Sequence, residues 1–499
     1  MRRLHQRTQK SSTDVVLASD RGPVTFVRRA GRLVPQPRPG SVVGVLQSAT
    51  RAVGGRVAWV STTTSALDEE AWQGGSYERL GGATASRLEP VFVEPATYRR
   101  YYDEAGVRML WFAHHDLWDE LPAKVGFDPT AFSAYESVNQ TVARRIARLC
   151  RPGSLVVVHD YQLATVASTL RRLAPGAAVA HFLHTPFAPP AALRRLPGWV
   201  AGRVLEGMLS ADLLGFQRPA WAEDFMSCCR LLGAEPDVAH GLVRHGNRVT
   251  WVRCYPTPVD PAEVLEHASS AGALRWARRL AASGTRTVVR IDRLDPAKNA
   301  LRGFQAFGLL LERRPELRGR VRFLAFLVPS RQGVAEYRDY AERTFREVGR
   351  INARFPGAVR LYEGDDRERA LGALRAYDVL LVNAVRDGMN LVAQEGPLVN
   401  QVNGSVVLSA RTGAADLLGE GALSLHDPTD TAATAEALER ALALPATARR
   451  ERAGSLRAVI TSRHPADWLA SQLKDLRAIH DGGEPPSGPG TSLSASPSR

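Results

Sequence analysis

Arg293 and Lys298 stand five residues apart in Asp292-Arg-Leu-Asp-Pro-Ala-Lys-Asn299, directly after the apolar run Thr287 to Ile291. Two cations so placed can hold a diphosphate and stabilise it as a leaving group, because charge builds on the phosphate oxygens as the bond to them breaks. The plain alternative is a pair of solvated surface charges. Lys298 carries extra weight, since lysine occurs in this arginine-rich chain only at positions 10, 124, 298 and 474.

A second stretch, Ala384-Val-Arg-Asp-Gly-Met-Asn-Leu-Val-Ala-Gln-Glu395, follows the run Val379 to Asn383. A turn at Asp387-Gly388 leading into the first turns of a helix would aim free backbone N–H groups at an anion, with Gly388 permitting close backbone approach. Glu395 would then lie two turns further on, where a carboxylate can take a sugar hydroxyl. Asp-Gly before a helix also serves as an ordinary turn and cap.

Two more strand ends, Val158-His-Asp-Tyr-Gln162 and Phe182-Leu-His-Thr-Pro-Phe187, place titratable groups at the mouth of a sheet. Asp160 suits sugar hydroxyls. His184 could donate a hydrogen bond to a hydroxyl or meet the reacting carbohydrate through its backbone carbonyl, although a lone histidine is more often structural. Arg21 follows the first run in Ala18-Ser-Asp-Arg-Gly-Pro23, Arg331 follows Arg322 to Val328, and Tyr102 and Trp111 flank the short run Arg108 to Leu110. Arginines edged by aromatics match a phosphate monoester, whose oxygens a guanidinium engages bidentately; taken singly, each is an ordinary arginine or core aromatic.

These residues need strands to hold them. Short β-branched runs at Asp14–Ala18, Arg56–Val60, Ser154–Val158, Ala178–Leu183 and Leu213–Phe216 alternate with helical patterns. The rhythm restarts at Thr287–Ile291 and continues through Arg322–Val328, Val359–Leu361, Val379–Asn383 and Ser405–Ser409. Such alternation predicts βαβ units and two mostly parallel, doubly wound sheets, with ligands beyond the carboxyl ends of the strands. The three prolines of Cys254-Tyr-Pro-Thr-Pro-Val-Asp-Pro261 mark a stiff interdomain hinge. The expected division is a basic disordered tail at 1–13, an N-terminal Rossmann-like domain at 14–258, a C-terminal one at 259–466, a terminal helix at 467–480 returning to the N-terminal domain, and a disordered tail at 481–499.

Bulk properties agree. At 499 residues the chain exceeds the roughly 250 to 300 at which one core stops growing. No apolar run approaches the ~18 residues of a membrane helix, and no apolar block follows the basic start as a secretory signal would require. Four cysteines (150, 228, 229, 254) without CxxC spacing fit buried thiols in a reducing cytoplasm. The net charge of +14 is spread along the chain, which disfavours a nucleic-acid partner and leaves arginines free for anionic sugar phosphates. Oligomeric state has no sequence signature, and a homo-oligomer is compatible with what there is.

Together, Arg293-Leu-Asp-Pro-Ala-Lys298, Asp387-Gly-Met-Asn-Leu-Val-Ala-Gln-Glu395, His159-Asp-Tyr-Gln162, His184-Thr-Pro-Phe187, Leu213-Leu-Gly-Phe216 and Arg386 closely resemble the trehalose-6-phosphate synthase family, in order and spacing, from about residue 14 to 478. The resemblance implies a GT-B architecture of two Rossmann-like domains facing a central cleft, retaining glucosyl transfer from a nucleoside-diphosphate glucose to glucose 6-phosphate, small-molecule substrates only, no cofactor and no metal. It further implies that Arg293 and Lys298 grip the donor diphosphate. Asp387 with the backbone of Gly388, Met389 and Asn390 would hold the donor glucose, Leu391 and Val392 the phosphates, and Glu395 the ribose. Gly40 would lie in the loop closing over the donor and Arg367 near both ligands. Arg21, Tyr102, Trp111 and Arg331 would surround the acceptor phosphate, with Asp160 at the sugar and His184 beside the reacting centre.

The chain departs from the family at Gln162, often His, and at Pro39-Gly40-Ser41, often a Gly-Gly pair. His159-Asp-Tyr-Gln162, Asp295-Pro-Ala-Lys-Asn299 and Glu395-Gly-Pro-Leu-Val-Asn400 are also similar to validoxylamine phosphate synthase, which couples a GDP-cyclitol to an amino-cyclitol phosphate. Ala18-Ser-Asp-Arg-Gly-Pro-Val24 and Leu110-Trp-Phe-Ala-His-His115 look more like actinobacterial trehalose-6-phosphate synthases that prefer GDP-glucose. A non-catalytic sugar-phosphate-binding paralogue is the remaining alternative.

Overall fold

A computed structural model describes residues 14–38, 41–53, 57–77, 87–119 and 126–486. In chain order the first half supplies β1 (Val15–Arg21), β2 (Val24–Arg29), β3 (Arg32–Pro37), β4 (Val57–Thr63), β5 (Arg87–Phe92), β6 (Leu155–His159), β7 (Ala178–Phe182), β8 (Leu213–Phe216), β9 (Glu235–Asp237), β10 (Leu242–His245) and β11 (Arg248–Cys254). The second half supplies β12 (Arg286–Leu294), β13 (Val321–Pro329), β14 (Val359–Glu363), β15 (Val379–Val382), β16 (Ser405–Ser409) and β17 (Leu423–Leu425). All ten β-branched runs of the sequence become strands, most of them buried on both faces, β6 and β7 throughout their lengths, and only the edge strand β14 largely unburied.

The first sheet has the order β5-β4-β1-β6-β7-β8-β11-β10-β9 and the second β14-β13-β12-β15-β16-β17, with β2 and β3 forming a separate hairpin. Strand order reverses between β1 and β6 in one sheet and between β12 and β15 in the other. At such a switch point the two following loops splay apart and leave a crevice. Arg21 ends β1 and Asp160 follows β6; Asp295, Lys298 and Asp387 follow β12 and β15. The topology therefore puts the chemically interesting residues at the two switch points.

Two apolar layers cover the second sheet, and two more cover the first. The layers of the first sheet also take in residues from beyond it. Ala297, Val334, Tyr337 and Val385 enter one face, while Trp468, Leu469 and Leu476 of the helix Pro465–His480 enter the other. Tyr255 Oη donates to Asp475 of that helix at 2.5 Å, and Trp468 Nε1 donates to the Tyr255 carbonyl at 2.9 Å.

The proline-rich connection after β11 is pinned from both sides. Gln217 accepts from the Thr257 amide at 2.9 Å, and Gln394 donates to the Thr257 carbonyl at 3.0 Å.

Some expectations change. The short run Arg108–Leu110 lies inside a π-helix, Arg100–Trp111, whose wide i→i+5 turns put Tyr102 and Trp111 roughly two turns apart on one side. Asp481, Gly482 and Gly483 close the last helix with amides bonded to the carbonyls of Arg477, Ile479 and Ala478, so the tail does not begin at 481. Residues 1–13 and 487–499 lie outside the described residues, as does Gly40.

Candidate functional site at the two switch points

The second-sheet side is built around a short turn. Asp295 caps the 3-10 turn Pro296–Lys298, its side chain accepting from the Ala297 amide at 3.0 Å. Asn299, at φ 61°, then redirects the chain and anchors it by donating to the Asn383 carbonyl at 2.9 Å. Beneath the turn Arg290, wholly buried, pairs with Asp292 at 2.9 Å, donates to Asn383 Oδ1 at 2.7 Å and also bonds the Lys298 carbonyl. This network fixes the backbone that carries Lys298.

Lys298 is not a free cation. Its ammonium pairs with Asp387 across the switch point. Asp387 also accepts from the Gly388 amide at 3.0 Å and from Asn390 Nδ2 at 2.9 Å. Burial opposes ionisation of Asp387 more than any other single influence, but Lys298 and the Asn390 amide outweigh it and hold the carboxyl below its ordinary range.

Asn390 has φ 58°, so the helix starts only at Val392 and runs to Val399. Glu395 consequently sits in the first helical turn, not two turns down. Among the described residues, the amides of Met389, Asn390, Leu391 and Val392 have no hydrogen-bond acceptor, which leaves four donors for an anion at this helix start. The Met389 side chain is buried in the second-sheet core, so only its backbone is available. Burial raises the Glu395 carboxyl above its ordinary range against the opposing charge of nearby Arg367, and Arg367 itself bonds His267 Nδ1 at 3.0 Å.

On the first-sheet side Asp160 occupies φ 72°, ψ 169°, a backbone region nearly confined to glycine and costly to maintain. Its carboxylate repays the strain locally, accepting from the His184 amide at 3.2 Å, the Thr185 amide at 3.3 Å and Thr185 Oγ1 at 3.2 Å. Burial nevertheless pushes the Asp160 carboxyl up to about 6. Tyr102 lies under the exposed Arg21 guanidinium, 5.3 Å from ring centre to carbon.

Contact between the sides is direct. The Arg331 guanidinium, from the second half of the chain, lies 3.9 Å over the Trp111 ring, and Arg293 lies 5.4 Å from that ring. Gly388 abuts His184 so closely that a Cβ there would stand 1.8 Å from the His184 carbonyl oxygen. That carbonyl, and not the imidazole, faces the Asp387 turn; the His184 ring turns back to His159 at 3.3 Å. The room that Gly388 provides is taken by protein backbone.

Several buried polar atoms at this junction lack partners among the described residues: Trp111 Nε1, His115 Nε2, Tyr161 Oη, Gln162 Oε1 and Arg331 Nε. An unsatisfied buried polar group costs about 1–3 kcal/mol, so a polar ligand reaching them would bind with that cost relieved. Among the described residues no group of three or more His, Cys, Asp or Glu could hold a metal ion.

Two arginines that the strand-end reading did not place in the site clamp the halves together. Arg386 donates to the Phe187 carbonyl at 2.7 Å, pairs with Asp224 and stacks 4.0 Å from the Trp221 ring. Arg218 donates to the carbonyls of Ala410 and Thr412 at 2.7 and 3.0 Å and pairs with Asp416 at 2.8 Å. Arg386 appeared in the sequence only as a motif letter, and nothing around Arg218 signals its reach of nearly two hundred residues.

The junction has an electrostatic cost that predicts a pH effect. Burial lowers His114, His115 and His184 from 6.5 to about 3 and His181 to about 4, and holds His159 well below 6.5. The unfolded chain binds protons at these groups below about pH 6.5 and the folded chain does not, so each removes about 1.4 kcal/mol of stability per pH unit as pH falls. Carboxyls that burial raises, Asp160 up to about 6 and Glu395 above its ordinary range, work in the opposite sense, but the imidazoles take up protons from about 6.5 downward in the unfolded chain and set the sign between pH 7 and pH 5. The guanidinium denaturation midpoint is expected to drop steeply between pH 7 and pH 5; a flat profile would contradict these buried neutral histidines.

Comparison with known proteins agrees with the geometry. The family model described as glycosyltransferase family 20 matches residues 14–478. The trehalose-6-phosphate synthase of Mycolicibacterium vanbaalenii is 30% identical over 94% of this chain and 96% of its own length. The UDP-forming alpha,alpha-trehalose-phosphate synthase A of Dictyostelium discoideum is 30% identical over 78% of this chain, which spans about half, 53%, of that longer protein. A solved Escherichia coli structure bound with UDP-2-fluoro glucose superposes with a TM-score of 0.79 at 25% identity, covering 93% of this chain and 98% of that one. A UDP-forming synthase from Burkholderia xenovorans in complex with glucose-6-phosphate gives 0.78 at 26%, covering 93% and 99%. With two doubly wound sheets joined at their switch points and a family match spanning nearly its whole length, the chain belongs to glycosyltransferase family 20, the family of the trehalose-6-phosphate synthases.

Proposed function

We propose that this protein is a retaining glycosyltransferase that moves glucose from GDP- or UDP-glucose to glucose 6-phosphate, giving trehalose 6-phosphate. The observation that carries the reading is the abutment of the Asp387-Gly388 turn on the His184 carbonyl, which brings the residues suited to a nucleotide sugar against those suited to a sugar phosphate. Relatives and solved structures of the same family carry that activity, or those ligands, in their names.

In this account Arg293 and Lys298 hold the donor diphosphate and the free amides from Met389 to Val392 receive its oxygens or the glucose hydroxyls. Glu395 takes the ribose, and Arg367 lies beside it. Asp387 orients Lys298 and the glucose. Arg21, Tyr102, Trp111 and Arg331 receive the acceptor phosphate, and Asp160 a hydroxyl of the acceptor sugar. As the glycosidic bond breaks, the departing phosphate oxygen takes the proton of the attacking hydroxyl on the same face, so retention needs no pair of carboxylates working as acid and nucleophile. Positioning and stabilisation of the leaving group supply the rate. The His184 imidazole, neutral through burial, is not the proton carrier; its carbonyl lines the reacting centre.

The nucleotide sugar is consumed as a substrate and no cofactor is assigned. We place the protein in the cytoplasm, where both substrates are made; no helix among the described residues is long and apolar enough to cross a membrane. A donor-by-acceptor matrix tests the assignment. Glucose 6-phosphate with GDP- or UDP-glucose should release nucleoside diphosphate, with the better donor identifying the base. Turnover confined to a GDP-cyclitol and an amino-cyclitol phosphate would replace the assignment, and no turnover with any pair would remove it.

A further inference from the structure

Asp295 is fully buried, and its two carboxylate oxygens serve different elements. Oδ1 accepts from the Ala297 amide at 3.0 Å, and the Asp295 carbonyl accepts from the Lys298 amide at 2.9 Å, so this residue shapes the turn that presents Lys298. Oδ2 accepts from Arg331 at 2.6 Å and from Tyr337 Oη at 3.1 Å, while Arg331 also donates to Tyr337 Oη at 2.6 Å. Burial is the largest single influence and opposes its charge, but Arg331 and Arg293 prevail and hold the carboxyl below its ordinary range.

Arg331 is poised for a further partner. It has φ 47°, its side chain is 4% exposed, and its Nε has no acceptor among the described residues. Tyr337 and Val334, on the same segment, are embedded in the first-sheet core, and Tyr337 stacks on Phe112 at 6.5 Å. The orientation of Arg331 over Trp111 and the shape of the Lys298 turn thus depend on one carboxylate.

We propose that Asp295 is a positioning residue that couples the two substrate sites, so that nucleoside diphosphate and sugar phosphate bind cooperatively. The inference rests on the reading above of Lys298 as a donor residue and Arg331 as an acceptor residue. A phosphate that orders Arg331 orders Asp295 with it and so prepares the Lys298 turn; the ordering entropy is then spent once for two ligands. By linkage the effect is reciprocal.

Calorimetric titration of the full chain with UDP or GDP, alone and with saturating glucose 6-phosphate, measures the coupling. Saturating glucose 6-phosphate should tighten the nucleotide at least about fivefold in the unaltered protein, the low end of ordinary coupling. Asp295→Asn and Tyr337→Phe should cut this below about twofold while nucleotide affinity measured alone stays within about threefold. Tyr337→Phe removes one hydroxyl and keeps the ring, so it decides the matter should Asp295→Asn not fold. Undiminished coupling in Tyr337→Phe, or none in the unaltered protein, would overturn the proposal alone. Failure of both ligands to bind would overturn it together with the functional reading.

Discussion

Lys298→Ala is expected to lower kcat about 10³-fold, the loss that follows removal of one preorganised group from a developing charge. The ammonium sits on the Asp387 turn, and the Arg290–Asn383 network beneath it fixes its backbone. The same substitution strands Asp387, whose side chain is only 9% exposed. Leaving one member of a buried ion pair uncompensated costs about 3–5 kcal/mol, so the single variant loses stability as well as rate. The double substitution Lys298→Met with Asp387→Asn separates the two effects. It removes both charges, should recover most of the stability, and should remain at least about 10²-fold slow. Recovery of activity together with stability would mean that the pair only holds the fold.

Gly388→Ala should be nearly as damaging for a different reason. The added methyl would meet the His184 carbonyl oxygen at 1.8 Å and the neighbouring carbonyl carbon at 2.9 Å. Both are backbone atoms, so relief requires the Asp387 turn and the His184 loop to separate. A misplacement of about 1 Å can cost on the order of 10²-fold in rate, and kcat/KM should fall by at least that much. Because Ala297, Val334, Tyr337 and Val385 are buried in the first sheet's core, the same separation should also lower the denaturation midpoint. Small-angle scattering of the variant should show a larger radius of gyration as the halves part. A variant with unaltered kcat/KM would show that the abutment is dispensable to catalysis.

Much of the scaffold is legible because buried parallel strands are written as unbroken β-branched runs, and ten such runs become strands. The hairpin β2–β3 is not, since its strands are largely exposed and two prolines, Pro35 and Pro37, occupy one of them. Strands β9 and β17 are three residues each, too short to carry a period. For the site, residue types at strand ends pointed to Lys298 and Asp387 separately. Their pairing was hidden because it depends on β12 lying beside β15, a neighbour relation made by the strand order and not by the local sequence. The helix starts only at Val392, with Glu395 in its first turn, because Asn390 adopts the left-handed turn that asparagine favours more than other non-glycine residues; the letters do not say that this asparagine takes it. Asp295 was visible only as part of a motif, although aspartate before proline at a strand end is a capping signal. Tyr337, a helix residue beyond Arg331, carried no signal of its contact with Asp295.

On the proposed function, the junction of the two switch points transfers glucose with retention to a phosphorylated acceptor. Incubation with nucleoside-diphosphate glucose labelled with 13C at the anomeric carbon and with glucose 6-phosphate, followed by NMR of the product, tests it most directly. The labelled carbon should appear as an α-anomeric signal in a non-reducing, 1,1-linked disaccharide that keeps its 6-phosphate. A β-linked product, a reducing disaccharide, or label found only in free glucose would contradict the account.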